Sequence, residues 1–123
     1  MTEKKRILVV DDESSLRVTL SAQLRGQGYN VSSAGDGDIA IEMLRHEYFD
    51  LILLDLKMPN VDGYEVLSYV KEKHPATKVI ILTGFADLKN AVDSKGLGAD
   101  NFVGKPYEFA DLLSTIERVL KAA

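Results

Sequence analysis

Ile7-Leu8-Val9-Val10-Asp11-Asp12 decides the fold. Four consecutive apolar residues, three of them β-branched, suit a strand buried on both faces, as in the centre of a parallel sheet. Two carboxylates end the run. The same grammar recurs downstream. Leu51-Ile52-Leu53-Leu54 stops at Asp55, Val79-Ile80-Ile81-Leu82 is followed by Thr83-Gly84, and Asn101-Phe102-Val103 is followed by Lys105-Pro106. A weaker strand is expected from about Tyr29 to Ser33.

Helical patterns fill the intervals. Leu16, Leu20 and Leu24 repeat along one face, Ser14 or Ser15 could cap that helix, and Gly26 and Gly28 suggest its end. Gly35-Asp36-Gly37 marks the turn into a second helix whose apolar side is Ile39, Ile41, Met43 and Leu44. Pro59-Asn60 and Asp62-Gly63 read as turns. Tyr64 to Lys73 follows, with Val66, Leu67 and Val70 on one side and His74-Pro75 as the break. A fourth helix is expected from about Ala86 to Lys95, ending near Gly96-Leu97-Gly98. The last runs from about Tyr107 to Leu120, packing through Phe109, Leu112, Leu113, Ile116, Val119 and Leu120. Five strands alternating with five helices give a (βα)5 α/β chain with parallel strands, right-handed crossovers and helices on both faces. The 123 residues fit one domain, 1–123, with no internal repeat.

Composition removes several classes of chemistry. With no Cys there is no disulfide, thiol nucleophile or thiolate metal site, and the two His, His46 and His74, lack metal-ligand spacing. The net charge of −4 and pI near 5.1 argue against unaided nucleic-acid binding. No apolar run approaches the length of a signal core or a membrane span, so a cytoplasmic location is the default expectation.

In open parallel sheets, ligands bind beyond the carboxyl ends of the strands. There the chain places Asp11, Asp12, Asp55, Thr83 and Lys105: three acids, a hydroxyl and an ammonium. Gathered carboxylates repel and need a counter-charge. Without sulfur or imidazole, hard oxygen ligands remain, which suit Mg²⁺, Mn²⁺ or Ca²⁺. A carboxylate beside such a cation can attack a phosphoryl group whose equatorial charge is neutralised by the metal and Lys105. Asp55 is the candidate nucleophile, and an acyl phosphate the product.

The pieces I-L-V-V-D-D-E, L-I-L-L-D-L-K-M-P-N-V-D-G, V-I-I-L-T-G and G-A-D-N-F-V-G-K-P, in this order and spacing, resemble the receiver domain of bacterial two-component response regulators, the chemotaxis-regulator-like fold. The resemblance spans the chain. It implies a doubly wound, flavodoxin-like sheet in order 2-1-3-4-5. It also implies a phosphorylation-activated signalling domain that takes a phosphoryl group from a sensor histidine kinase, or a histidine phosphotransfer protein, onto Asp55. The cofactor implied is Mg²⁺, with Mn²⁺ as a substitute. Asp12, Asp55 and the backbone carbonyl of Lys57 would be direct ligands, and Asp11 would reach the metal mainly through water. Lys105 would pair with the phosphoryl group and Thr83 would turn toward it, with the Gly84 N–H as companion. Pro106 matches a position where a cis bond is common, and Gly63 the glycine turn beyond the acceptor. Phe102, three residues before Lys105, matches the switch aromatic, against the simpler reading of a strand residue under the last helix. Lys57 and Phe85 stand where the family sets phosphoryl lifetime.

Output would pass through the fourth helix, fifth strand and last helix, including Lys89, Val92, Lys95, Asn101, Val103, Tyr107 and Leu112, to a downstream protein or a fused output domain. The same face would serve a homodimer. Leu16, Arg17 and Pro106 are kinase-docking candidates. No direct nucleic-acid or membrane contact is expected. The receiver would catalyse its own phosphorylation and dephosphorylation rather than act on a separate substrate. The alternatives are a small Mg²⁺-dependent aspartyl-nucleophile phosphohydrolase, disfavoured by Lys57 two residues past Asp55, and a phosphorylation-independent binding module.

Overall fold

The computed structural model describes residues 4–56, 62–84, 96 and 98–122. Five strands form one parallel sheet: β1 (Arg6–Val10), β2 (Asn30–Ala34), β3 (Leu51–Leu54), β4 (Lys78–Gly84) and β5 (Asn101–Lys105), in spatial order β2-β1-β3-β4-β5. Four helices lie among the described residues: α1 (Ser14–Gly26), α2 (Gly37–His46), α3 (Gly63–Lys73) and a C-terminal helix (Phe109–Lys121). The expected helix at 86–95 and the Pro59-Asn60 turn lie outside the described residues. None of the helices described is long and apolar enough to cross a membrane.

The pleat sorts the strand residues into two cores. Leu8, Val10, Ile52, Leu54, Val79 and Ile81 pack with Ala40 and Leu44 of α2 and Val66, Leu67 and Val70 of α3. Ile7, Val9, Leu51, Leu53, Ile80 and Leu82 pack with Leu20 and Leu24 of α1 and with Leu112, Ile116 and Val119 of the C-terminal helix. Burial on both faces is why these strands are continuously apolar.

Several boundaries differ from the sequence expectation. Neither Ser14 nor Ser15 caps α1; both are exposed inside its first turn, and Glu13 is the N-cap without a side-chain bond. The caps that form are Asp36, which accepts the Ile39 N–H at 2.9 Å, and Asp62, which accepts the Glu65 N–H at 3.1 Å. Asp62-Gly63 is therefore a helix start. In α2 the buried stripe is Gly37, Ala40 and Leu44, while Ile39 is 48% exposed. The helical period carries Ile39 off the stripe that Leu44 and Ala40 define. β2 is displaced one residue toward Ala34, whose carbonyl receives the Asp11 N–H at 3.1 Å. The C-terminal helix starts two residues later than expected, at Phe109, and buries Thr115 beside its apolar residues. Strands β4 and β5 extend through Thr83-Gly84 and Gly104-Lys105, so the polar residues expected after them are their last rungs, with Thr83 beside Gly104 and Gly84 beside Lys105.

One glycine sets the distance between α3 and the end of β3. The Gly63 N–H donates to the Leu56 carbonyl at 3.1 Å. A Cβ at position 63 would press on the Asp55 carbonyl oxygen and lie 2.5 Å from Leu56 Cα. Backbone cannot swing aside as a side chain can. Gly63→Ala is expected to destabilise the protein by about 1–3 kcal/mol, the usual penalty of overpacking, measured by urea unfolding; unchanged stability would show that α3 can shift freely.

Candidate functional site: a carboxylate rim at the strand ends

Asp11 and Asp55 are the first residues past the paired ends of neighbouring strands, since Val10 pairs with Leu54. The Asp55 N–H donates to the Val10 carbonyl at 3.0 Å, which fixes the two ends side by side. Both residues are nearly sealed from solvent, Asp11 at 2% and Asp55 at 8% exposure, and Asp12 is exposed. One carboxylate oxygen from each of Asp11, Asp12 and Asp55 lies within 4.8 Å of the others. Three negative charges at that spacing favour a cation among them.

Lys105 supplies one from the end of β5. Its ammonium donates to Asp11 Oδ2 at 2.5 Å and Asp55 Oδ2 at 3.3 Å. The pleat explains the reach. Asn101, Val103 and Lys105 alternate with Phe102 and Gly104, and Val103 packs with the α1 side of the sheet, the side on which Val9 and Leu53 precede Asp11 and Asp55. Burial works against the charged ammonium, but the two carboxylates outweigh it, and the Lys105 pKa is raised above the ordinary lysine value. Tyr107 lies close enough to feel the same charges. Its phenol is pushed upward chiefly by burial, with Lys105 lowering it and Asp11 and Glu13 raising it.

Thr83 occupies the opposite face. It alternates with Leu82 and follows the parity of Ile81, which pairs with Phe102 and belongs to the α2–α3 core. Its hydroxyl is buried and has no hydrogen-bond partner among the described residues. An unmet buried hydroxyl costs roughly 1–3 kcal/mol, so an acceptor supplied from outside the chain would satisfy it. Phe102 is half-buried against that same α2–α3 core. The simpler alternative, a strand residue packed under the C-terminal helix, does not match this packing, because the pleat directs position 102 to the other face.

The structure brings together Asp11, Asp12, Asp55 and Lys105, and it places Thr83, Gly84 and Phe102 on the neighbouring rungs. The Lys105–Pro106 peptide is cis. Lys57 and Phe85 lie outside the described residues, as do Lys89, Val92 and Lys95. Of the docking candidates, Arg17 is engaged: its Nη1 donates to the Asp11 carbonyl at 2.7 Å. The sequence reading missed this contact and the proximity of Tyr107 to the rim. Arg17 stands six residues beyond Asp11, across a loop and a helical turn, and no pattern of residue types announces such a bond.

The all-oxygen donor set fits a hard divalent cation. Comparison with known proteins agrees. The family model described as "Response regulator receiver domain" matches residues 7–117. The chain is 41% identical over 114 residues to the transcriptional regulatory protein ZraR of Escherichia coli K12, covering 93% of this chain and 26% of ZraR. It is 38% identical over 119 residues to the probable transcriptional regulator ycf27 of Porphyridium aerugineum, covering 97% of this chain and 49% of that protein. The chain thus spans a quarter to a half of the length of these curated relatives. Among solved structures, a CheY-like receiver domain protein from Methanospirillum hungatei superposes with a TM-score of 0.91 at 36% identity, covering 96% of this chain and 94% of that one. The response regulator TrrA of Thermotoga maritima, solved in complex with Mg²⁺ and BeF, gives 0.84 at 33% identity, covering 94% and 98%.

Removing the ammonium tests the electrostatics. Lys105→Met is expected to destabilise the cation-free protein by roughly 3 kcal/mol, as when a buried ion pair loses one partner. Millimolar Mg²⁺ should restore part of the loss. Urea unfolding in EDTA and in Mg²⁺ checks both, and equal stability of variant and wild type in EDTA would contradict the account.

Proposed function

The chain belongs to the response regulator receiver family, a phosphorylation-activated signalling module, and from that premise we propose that Asp55 is its phosphoacceptor and that the carboxylate rim is the Mg²⁺ site that makes the transfer work. The observation that carries this reading is the cluster of Asp11, Asp12 and Asp55 oxygens at the carboxyl ends of adjacent strands, bridged by Lys105.

Asp12, Asp55 and the Lys57 carbonyl would hold the ion directly, and Asp11 would reach it mainly through water. Bound there, Mg²⁺ offsets the negative charge of the carboxylates and of an incoming phosphoryl group. The chain's own residues do the rest. Asp55 is held at the end of β3 by its backbone bond to Val10 and by the contact of its Oδ2 with Lys105, and one of its carboxylate oxygens would act as the nucleophile. In the transfer a bond forms from that oxygen to phosphorus. The bond from phosphorus to the donor, an imidazole nitrogen of a kinase or phosphotransfer-protein histidine, breaks, and its electron pair leaves with the imidazole. Lys105 is positioned to exchange part of its carboxylate contact for a phosphoryl oxygen. The buried Thr83 hydroxyl, without a partner among the described residues, would gain an acceptor, and the Gly84 N–H offers a second donor beside it.

Activation follows from that gain. Thr83 shares its sheet face with Phe102, and its neighbour on β5 is Gly104, which has no side chain to block movement. A turn of Thr83 toward the phosphoryl group frees volume that the Phe102 ring can take up. Phe102 has no phenolic oxygen, so packing alone biases the two positions. The change is read on the face formed by β5 and the C-terminal helix, by a downstream protein, a fused output domain or a second copy. Leu16 and Pro106 border the rim where a kinase or phosphotransfer protein would approach. The whole of 1–123 acts as one receiver unit.

Incubation with acetyl phosphate and Mg²⁺, followed by intact-protein mass and inorganic phosphate release, tests this directly. The wild type should gain one phosphoryl group or turn acetyl phosphate over. EDTA and Asp55→Ala should abolish both, and Thr83→Ala should leave phosphorylation intact while uncoupling it from changes at Phe102 seen by NMR. Neither adduct nor release from the wild type would make the domain a phosphorylation-independent binding module.

A further inference from the structure

We propose that Arg17 is a positioning residue for the cation site: its guanidinium, laid against Gly35, fixes the peptide that joins Asp11 to Asp12 and so sets both carboxylates before a cation arrives. The inference rests on reading the rim as a Mg²⁺ site.

Asp11 is held at every polar atom. Its N–H donates to the Ala34 carbonyl at 3.1 Å. Its Oδ1 accepts the Glu13 N–H at 2.9 Å, and its Oδ2 accepts from Lys105 at 2.5 Å. Its carbonyl lies one residue past Val10, the last rung shared with β2 and β3. A buried carbonyl beyond the ladder still needs a donor, and Arg17 Nη1 provides one at 2.7 Å. That carbonyl belongs to the peptide whose other end carries Asp12. Anchoring it limits the rotation that would swing the two acids apart.

Gly35 makes room for the anchor. A Cβ there would lie 3.2 Å from Arg17 Nη1, closer than ordinary contact, and 3.4 Å from Cζ, at its edge. Gly35 is not among the described glycines with positive φ, so a side chain at that position would act by crowding the guanidinium and not by straining the backbone. Part of the Arg17 guanidinium is therefore engaged by its own fold. Its role is that of the outer partners of metal ligands, whose loss typically weakens metal binding about 10- to 100-fold.

A second effect has the opposite sign, since the guanidinium charge repels a cation. The variants separate the two. Mg²⁺ affinity would be measured by calorimetric titration for wild type, Arg17→Ala, Arg17→Lys and Gly35→Val. Gly35→Val keeps the charge and displaces the group. Arg17→Ala and Gly35→Val should each weaken Mg²⁺ binding roughly tenfold. Arg17→Lys should recover only part, because an ammonium lacks the planar fork. In EDTA, the Glu13 amide should exchange with solvent faster in both displaced variants while global unfolding stays cooperative. Unchanged or tighter Mg²⁺ binding in Arg17→Ala together with wild-type binding in folded Gly35→Val would overturn the proposal. A wild type that binds no Mg²⁺ would instead sink the reading of the rim, and the Glu13 exchange rates would still decide whether Arg17 holds the loop.

Discussion

Two carboxylates are buried side by side at the ends of β1 and β3, and the design of the rim follows from neutralising them. Asp11 and Asp55 are almost wholly withdrawn from water. Carboxylates taken that far from water call for a counter-charge and hydrogen-bond donors. Lys105 from the far edge of the sheet provides the charge, and the backbone N–H of Glu13 provides a donor to Asp11. The order β2-β1-β3-β4-β5 is what makes this feasible. It sets β1 and β3 in direct register, so that two acids at equivalent ends must meet. It leaves β4 as the only strand between them and β5, which a long lysine side chain can span.

The same constraint divides the rim into two halves. On the α1 side stand the charged groups. On the α2–α3 side, one step round in the pleat, stand the Thr83 hydroxyl and the Phe102 ring. In the proposed mechanism the first half would hold the ion and the phosphoryl group, and the second would sense what the first has bound. Separation across one sheet is a short physical route, requiring no element to travel and only two side chains to exchange space. The buried hydroxyl of Thr83 has no hydrogen-bond partner among the described residues, and an acceptor gained on phosphorylation would tie the two halves together.

Much of this was legible in the chain itself. The apolar runs ending in Asp11-Asp12, Asp55, Thr83 and Lys105 give strand identity and rim composition at once, because buried parallel strands must be apolar throughout and their carboxyl ends gather in one place. What escaped has a common physical cause. Helix faces are set by a period of 3.6, so Ile39, apolar but off the stripe, looked like core. The offset of three puts Phe102 and Lys105 on opposite faces of β5, but which helices cover each face is decided by tertiary packing. The Arg17 bond to a main-chain carbonyl carries no signature in residue types, since any carbonyl is chemically like any other. Caps were ambiguous where several hydroxyl and carboxyl residues adjoined, as at Glu13-Ser14-Ser15.

The measurement that bears most directly on the account is the location of the acyl phosphate. Protein treated with acetyl phosphate and Mg²⁺ would be reduced with borohydride, which converts an aspartyl phosphate to homoserine, and then digested with trypsin for peptide mass mapping. The account requires homoserine at Asp55, within the peptide from His46 to Lys57. Homoserine at Asp11 or Asp12, with Asp55 unmodified, would contradict it.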